Sequence, residues 1–224
     1  MMNTKDRLVE AGLRLLASEG PESLNARKLS AEIGASTMTV YTHFGGMGGL
    51  YEAIVLRAFV RFGEALEAVQ RTEDPVADLI ALGVAYREFA LASPQRYRLM
   101  FGVTAPGSGA ELAHDITESG TPTGIAEIDG TFEQLVEAVR RSLAAGRIRG
   151  DDPIGIAGQF WSMSHGFVLL EMSGFFGRRG RGVERVFAPH ALNLLAGLGD
   201  SPEATERSMR SVLESIGEPD TPGE

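Results

Sequence analysis

The stretch GASTMTVYTHF, residues 34–44, decides the fold of this chain. Gly34 can end a preceding helix because glycine tolerates the left-handed backbone that follows many helices. Ser36 is placed to cap a further short helix over Thr37–His43, whose inner face carries Val40. Small polar side chains occupy the other positions of this helix. Two short helices joined by a tight glycine turn are typical of a helix-turn-helix unit, whose second helix enters the DNA major groove.

Helical periodicity continues towards the amino terminus. Leucine residues at helical spacing predict a first helix over Thr4–Ser18, with Thr4 as its cap. Asn25 is expected to cap the second helix, which ends at Ile33. The first three helices are therefore predicted to form a small DNA-binding head over residues 1–46.

The rest of the chain also has helical patterns, and we predict an all-α fold. Proline at helix starts, glycine at helix ends and apolar spacing indicate the helices. The segment Gly102–Gly124 is rich in Gly, Pro, Ser and Thr and is predicted to be a long loop. Residues 47–216 are assigned to a helical body, and the acidic residues 217–224 to a disordered tail. The predicted body helices are Leu50–Gln70, Pro75–Ala92, Pro94–Phe101, Ile125–Ala145, Pro153–Ser173, Val183–Ala196 and Pro202–Ile216.

Composition excludes several classes of protein. The 224 residues include no cysteine, which excludes thiol catalysis, thiolate metal sites and disulfides. The charged start MMNTKDRLVE lacks the apolar run of a signal peptide. The longest uncharged stretch, Pro153–Leu170, carries polar side chains and glycines. This composition predicts a buried helix and not a membrane span. We therefore expect a cytoplasmic protein that does not interact with a membrane.

The net charge of −9 argues against a nucleic-acid partner, because affinity for DNA depends on lysine and arginine near phosphates. The distribution of charge weakens this objection. Residues 1–50 hold five basic and five acidic side chains and both lysines of the chain. A neutral head on an acidic body can contact DNA while the body is repelled from it.

From Gly20 to Leu50 the sequence resembles the TetR family of bacterial transcriptional regulators. The turn Gly34-Ala35-Ser36 and the signature TVYTHF at residues 39–44 carry the resemblance. It implies a homodimer whose two heads bind a roughly palindromic operator in double-stranded DNA. An enzyme is poorly supported, since no carboxylate pair, nucleophile with a base, or phosphate-binding glycine loop is present. We expect no cofactor.

This resemblance also implies a set of DNA contacts. Tyr41 and His43 are predicted to contact phosphates, although in an arbitrary helical protein they would pack within the core. Thr37 and Thr39 are either base readers or backbone donors. The predicted DNA-binding residues are Lys5, Arg27, Ser36, Thr37, Thr39, Tyr41, Thr42 and His43.

One position departs from the family pattern. Met47 stands where the family generally has a lysine that reaches a phosphate. It lies within GGMGG at residues 45–49, where each glycine costs roughly 1 kcal/mol if it is helical. The sequence predicts reduced phosphate affinity and a flexible joint between head and body.

The body carries a second, shorter resemblance. PQRYRLMF at 94–101 and WSMSHG at 161–166 resemble the carboxy-terminal domain of the TetR branch named for its Trp-His-Gly motif. This resemblance implies an apolar cavity for a small ligand. Trp161 and His165 share a helix face, where they either pack in the core or contact the ligand. A metal at His165 is not expected, because no other histidine has ligand spacing with it. The predicted ligand contacts are Phe89, Met100, Phe101, Trp161 and His165.

The dimer interface is predicted on Pro153–Ser173 and Val183–Ala196, the longest nearly uncharged segments, with Leu192 and Leu195 as contacts. The leading hypothesis is a homodimeric repressor that a small apolar effector releases from its operator. The alternative is a DNA-binding regulator without a small-molecule effector, controlled by a protein partner or by concentration.

Overall fold

The structure, a computed structural model, describes residues 2–102, 114–177 and 180–217. Within these ranges the chain forms helices and turns and contains no β-strand, which confirms the predicted all-α fold. The helices are α1 (Thr4–Glu19), α2 (Ala26–Glu32), α3 (Met38–Phe44), α4 (Met47–Glu67), α5 (Pro75–Ala92), α6 (Pro94–Met100), α7 (Ile116–Ser119), α8 (Ala126–Ala144), α9 (Pro153–Met172), α10 (Ala188–Gly197) and α11 (Pro202–Gly217).

Helix α1 is capped by Asn3, so the predicted Thr4 cap is wrong. Asn3 Oδ1 accepts a hydrogen bond from the Asp6 backbone N–H at 2.8 Å, which satisfies one of the amides that lack a partner at a helix start. Leu8 and Leu16 are fully buried on the inner face of α1. This face packs against α2, α4 and α6 and completes a core around which the head is built.

The glycine run between α3 and α4 has a geometric cause. Gly45 caps α3 in the left-handed conformation with a φ of 72°, and Gly46 follows with a φ of 138°. Gly49 lies within α4, where a Cβ would overlap the carbonyl oxygen of Phe44. The glycines therefore allow α4 to begin at Met47, immediately behind α3, and the expected start of this helix at residue 50 is wrong.

Helix α4 belongs to both halves of the molecule. Its first half buries Leu50 and Ile54 among the head helices, and its second half buries Phe62 within the body. Arg57 holds α1 through ion pairs of 3.1 Å with Asp6 and with Glu10. The head and the start of α4 are thereby fixed to each other, and the predicted boundary at residues 46 and 47 coincides with the first residue of this shared helix.

In the body, α5, α8 and α9 pack against one another, and α4, α10 and α11 cover them. Asp74 caps α5 by accepting hydrogen bonds from two backbone amides, and Pro75 follows at a position where a missing N–H costs nothing. Asp152 and Pro153 start α9 in the same way. These starts agree with the predicted ones because capping is decided within a few residues of sequence.

The predicted helix Val183–Ala196 is present but irregular. Val183–Phe187 forms a π-helical turn that leads directly into α10. Pro189 has no N–H, and its ring would collide with the carbonyl of Arg185 in a regular helix. The wider turn that precedes it relieves this contact.

The predicted loop Gly102–Gly124 contains the short helix α7, and residues 103–113 lie outside the described residues. Residues 218–224 of the predicted tail also lie outside them, and α11 continues to Gly217. No helix in the described part of the chain is both long enough and apolar enough to cross a membrane.

Candidate DNA-binding face and ligand cavity

The turn between α2 and α3 is fixed by local hydrogen bonds. Asn25 Oδ1 accepts from the Lys28 backbone N–H at 2.9 Å and caps α2, as the sequence predicts. Gly34 has a φ of 67°, and the next amide, of Ala35, donates to the carbonyl of Ser30 at 2.8 Å. Val40 is fully buried, so the opposite face of α3 points away from the core.

Of the predicted DNA contacts, Thr39, Tyr41, Thr42 and His43 lie on α3, Ser36 and Thr37 precede it, and Lys5 and Arg27 lie on α1 and α2. Tyr41 is 56% exposed, and Thr39 is half-buried. The hydroxyl of Thr42 donates to the Met38 carbonyl at 3.0 Å. The Thr42 hydroxyl proton is therefore already used in a hydrogen bond within α3. The exposed members of the predicted set are Lys5, Arg27, Ser36, Thr37, Tyr41, Thr42 and His43. Their contacts with DNA stay predictions.

Ser36 does not cap α3 with its side chain. Helix α3 begins after Thr37, and no side chain accepts from its first amides. The backbone carbonyl of Ser36 accepts from the Thr39 N–H at 3.0 Å instead. The Ser36 hydroxyl lies 3.5 Å from that of Thr39, and the two form a small polar patch at the start of α3.

Sequence reasoning missed Met38, which is 67% exposed in the first turn of α3. An apolar side chain at this place suits the methyl group of thymine. The sequence position of Met38 could have predicted its exposure, because Met38 lies out of phase with the buried Val40.

Lys5 lies beside the end of α3. Its ammonium group stands 5.5 Å from the centre of the Phe44 ring, at the end of α3. Met47 begins α4 three residues later. A cation therefore lies beside the joint at which the family generally places one on α4.

The body encloses a cavity of about 260 Å³ between α4, α5, α8, α9, α10 and α11. Apolar side chains form most of its wall, and no Asp, Glu, Lys or Arg occurs among the described residues that line it. Phe59 and Phe62 of α4 reach the cavity from the helix that also carries the head. A ligand in this cavity would contact that helix directly.

Two of the predicted ligand contacts line the cavity, Phe101 and Trp161. Met100 does not line it and is 2% exposed in the core, because adjacent residues of a helix face different directions. Phe89 also does not line it, since its ring is held between Phe62 and the guanidinium of Arg96, which lies 4.1 Å from the ring centre.

His165 is the third predicted ligand contact that does not line the cavity. It closes a buried hydrogen-bonded cluster with Tyr86 and Tyr97. Tyr97 Oη lies 2.6 Å from His165 Nδ1, and the two tyrosine hydroxyls are 2.5 Å apart. Tyr86 itself lines the cavity, so this cluster connects the cavity wall to α6.

Burial shifts the pKa values of this cluster towards neutral forms. It raises the pKa of Tyr86 to about 12 and the pKa of Tyr97 further in the same direction. It lowers the pKa of His165 below its usual range. At neutral pH the imidazole is therefore uncharged, and its Nδ1 can accept a hydrogen bond from a tyrosine hydroxyl.

The sequence analysis missed much of the cavity wall. The aromatic residues of the wall that were not among the predicted ligand contacts are Phe59, Phe62, Tyr86, Phe132, Phe160 and Phe187. No sequence signal distinguishes them, because a cavity wall and a packed core use the same apolar residues at the same helical spacing.

The two predicted interface residues differ in the structure. Leu195 is fully buried within the chain and lines the cavity, which does not favour its predicted place in an interface; the interface stays a prediction. Leu192 is half-buried on the same helix. The apolar pattern of α10 predicted both, but it did not show which side faces the body.

The helix-turn-helix head on a helical body places this molecule in the class of DNA-binding helix-turn-helix proteins. Residues 8–54 match the family described as "Bacterial regulatory proteins, tetR family", and residues 79–194 match "Tetracyclin repressor-like, C-terminal domain". The chain belongs to the TetR family and is a DNA-binding transcriptional regulator.

Relatives support this assignment along most of the chain. An HTH-type transcriptional regulator of Mycobacterium tuberculosis is 26% identical over 195 residues, which cover 87% of this chain and 81% of that protein. A solved structure of a Rhodococcus sp. RHA1 protein of unknown function has 25% identity and a TM-score of 0.72, covering 89% of this chain and 97% of that one. RolR in complex with resorcinol has 17% identity and a TM-score of 0.61, covering 92% and 93%, and shows the fold alone.

Proposed function

We propose that this chain is a cytoplasmic, homodimeric repressor that binds a roughly palindromic operator and is released by a small, uncharged, apolar effector. The head of residues 1–46 reads the operator, and the body of residues 47–216 binds the effector and the second protomer. The apolar cavity that touches α4 carries this proposal.

Contact between the cavity and α4 can couple ligand binding in the body to operator binding by the head. Phe59, Phe62 and Leu66 form part of the cavity wall. The first half of the same helix packs in the head core through Leu50 and Ile54. A ligand that fits the cavity in only one position of α4 lowers operator affinity, and the operator lowers ligand affinity by the same factor.

The lining indicates the chemistry of the effector. A charged ligand would bury its charge without a counter-ion among the described lining residues, which is unfavourable. Tyr86, Trp161 and Ser164 are among the lining residues with polar groups. We therefore expect a neutral, largely apolar molecule with one or two hydrogen-bonding groups. Resorcinol, the ligand of RolR, has this chemistry and supports the expectation.

The second protomer is expected on α9 and α10. Leu170 is 46% exposed, Phe175 75% and Val186 38%. Leu170 lies on α9, Phe175 in the turn after it, and Val186 in the π-helical turn before α10, the helix that carries the half-buried Leu192. An apolar surface of this kind is typical of an obligate dimer interface.

Selection of bound fragments from genomic DNA would give the operator, and fluorescence anisotropy would measure its affinity. Neutral aromatic compounds, resorcinol included, would then be titrated while Trp161 fluorescence and operator binding are followed. We expect one compound class to change both signals over the same concentration range. If no compound alters operator affinity, the regulator without an effector is the better description.

A further inference from the structure

Helix α11 lies beyond residues 79–194, which match the carboxy-terminal family domain, yet it forms part of the cavity wall. Met209, Val212 and Leu213 all line the cavity. Val212 is 5% exposed, so α11 is packed on the body. We propose that α11 completes the effector site: its apolar face contacts the ligand, and its second half forms the mouth through which the ligand passes. This inference rests on the proposed effector site.

The first half of α11 is fastened by buried polar contacts. Asp200, immediately before this helix, accepts hydrogen bonds from Arg147 at 2.8 and 2.9 Å and from the Thr205 hydroxyl at 2.5 Å. The Ser208 hydroxyl donates to Asp74 at 2.6 Å, and Arg147 also pairs with Asp74 at 2.7 Å. These contacts join α11 to the start of α5, and charge-assisted hydrogen bonds of this kind are strong.

The second half of α11 lacks such contacts. Within the described residues, no side-chain hydrogen bond or ion pair joins residues 209–217 to another element. The Ser215 hydroxyl donates to the Val212 carbonyl of the same helix. Leu213 is 64% exposed and Ile216 is 52% exposed, so apolar packing on one side alone holds this half. Segments with few buried contacts open at low free-energy cost.

The exposure of the lining residues indicates where the mouth of the cavity lies. Of the described residues that line the cavity, Leu213 and His114 alone are exposed. A side chain that borders both cavity and solvent marks a place where the wall is one residue thick. Leu213 lies on the half of α11 without polar contacts, whereas His114 is on another segment, before α7. His114 therefore marks the competing route.

The test uses the full-length protein and the neutral apolar dye N-phenyl-1-naphthylamine, excited in its own absorption band in a stopped-flow instrument. Leu213→Trp should narrow the mouth and slow association and dissociation together by about fivefold, with the equilibrium constant changed less than about twofold. Ile216→Trp is the matched control, because Ile216 is exposed on the same helix but does not line the cavity. It should leave both rates unchanged.

A second pair of variants tests whether the polar contacts of the first half of α11 control the opening of the mouth. Ser208→Ala removes the hydroxyl that joins α11 to Asp74 and should speed both rates by about threefold. Ser142→Ala is its control, since Ser142 is equally buried but bonds only to the Ala138 carbonyl within α8. Met209→Ala should weaken dye binding at equilibrium, because it removes part of the wall.

Slower exchange in Leu213→Trp with faster exchange in Ser208→Ala supports the proposal. Dye binding with wild-type rates in both variants overturns it and assigns access to the His114 side. A wild-type protein that binds neither this dye nor any effector contradicts the proposed function itself, and the inference about α11 then falls with it.

Discussion

The head and the body place their functional groups in opposite ways. On the head, the residues left outside a three-helix core are the ones expected to meet DNA, as the exposed Tyr41 and the buried Val40 of one helix illustrate. In the body, the expected ligand site is inside, where Phe101 lines a cavity and its neighbour Met100 is packed. A polar surface can be predicted from periodicity alone. An internal apolar site depends on where packing leaves a void.

The largest expected effect separates the inside of the body from its proposed dimer surface. Leu195→Asp places an unpaired carboxylate in the protomer and should lower the free energy of unfolding by about 4 kcal/mol or more. Leu192→Asp should instead give a folded monomer that loses operator affinity. Urea denaturation and light scattering measure the two outcomes. A stable dimer of Leu192→Asp would move the interface elsewhere.

The next effect tests the joint between the two regions. Gly49→Ala forces a Cβ against the Phe44 carbonyl and should destabilise the head by about 1–3 kcal/mol, with loss of operator binding. Gly48→Ala is the matched control, because a Cβ there meets open space. It should stabilise α4 by about 0.5–1 kcal/mol, since alanine favours helix over glycine. Equal effects of the two substitutions would show that these glycines are required for flexibility and not for the close approach of α4 to the Phe44 carbonyl.

Contacts on the head should divide into two kinds. Tyr41→Phe and His43→Ala should each weaken binding to all operators by about 1–3 kcal/mol, because phosphates carry no sequence information. Thr37→Ala should also change which bases are preferred. Binding selection with randomised operators measures both effects. An unchanged preference in Thr37→Ala would leave this threonine as a backbone donor.

The buried cluster of the body should respond to pH. The pKa of Tyr86 is raised to about 12, so the unfolded chain releases this proton first and stability is lost as pH rises from about 10 to about 12. The pKa of His165 is lowered, so the unfolded chain binds this proton first and stability is lost as pH falls through about 6.5. Tyr86→Phe should reduce the alkaline loss by up to about 1.4 kcal/mol per pH unit.

The smallest expected effect concerns Met47. Met47→Lys restores a cation at the start of α4 and should tighten operator binding modestly and steepen its salt dependence by about one charge. The gain should be larger in a Lys5→Gln background if Lys5 already supplies a cation near this joint. Equal gains in both backgrounds would show that the two positions act independently.

Most of the fold could be predicted from the sequence because the residues that start and end a helix act on their immediate neighbours in the chain. Asn25, Gly34 and Pro75 act within a few residues of themselves, and the helices they bound were predicted to within a residue or two. The glycines at 45–49 were misread, since their role depends on the approach of α4 to a carbonyl of α3.

The candidate sites were predicted unequally for the same reason. The signature at 39–44 lies on one short helix, and its exposed face follows from that helix alone. The cavity is formed by helices far apart in sequence, from Phe59 to Leu213. Nothing in the spacing around Phe89 or Leu195 indicated which apolar side chains border the void, because that depends on how six helices meet.

The first half of α4 packs in the head core through Leu50 and Ile54, and the Arg57 ion pairs add to this contact, so we expect the head to turn with that helix. Helix α4 has 21 residues and is therefore about 31 Å long. If its cavity end stays fixed, a tilt of roughly 10° carries the other end by about 5 Å. Successive base pairs are about 3.4 Å apart, so this movement shifts a recognition helix by more than one base pair. In the proposed homodimer, two heads spaced for one helical turn of DNA would then miss their half-sites, although every contact within each head is intact.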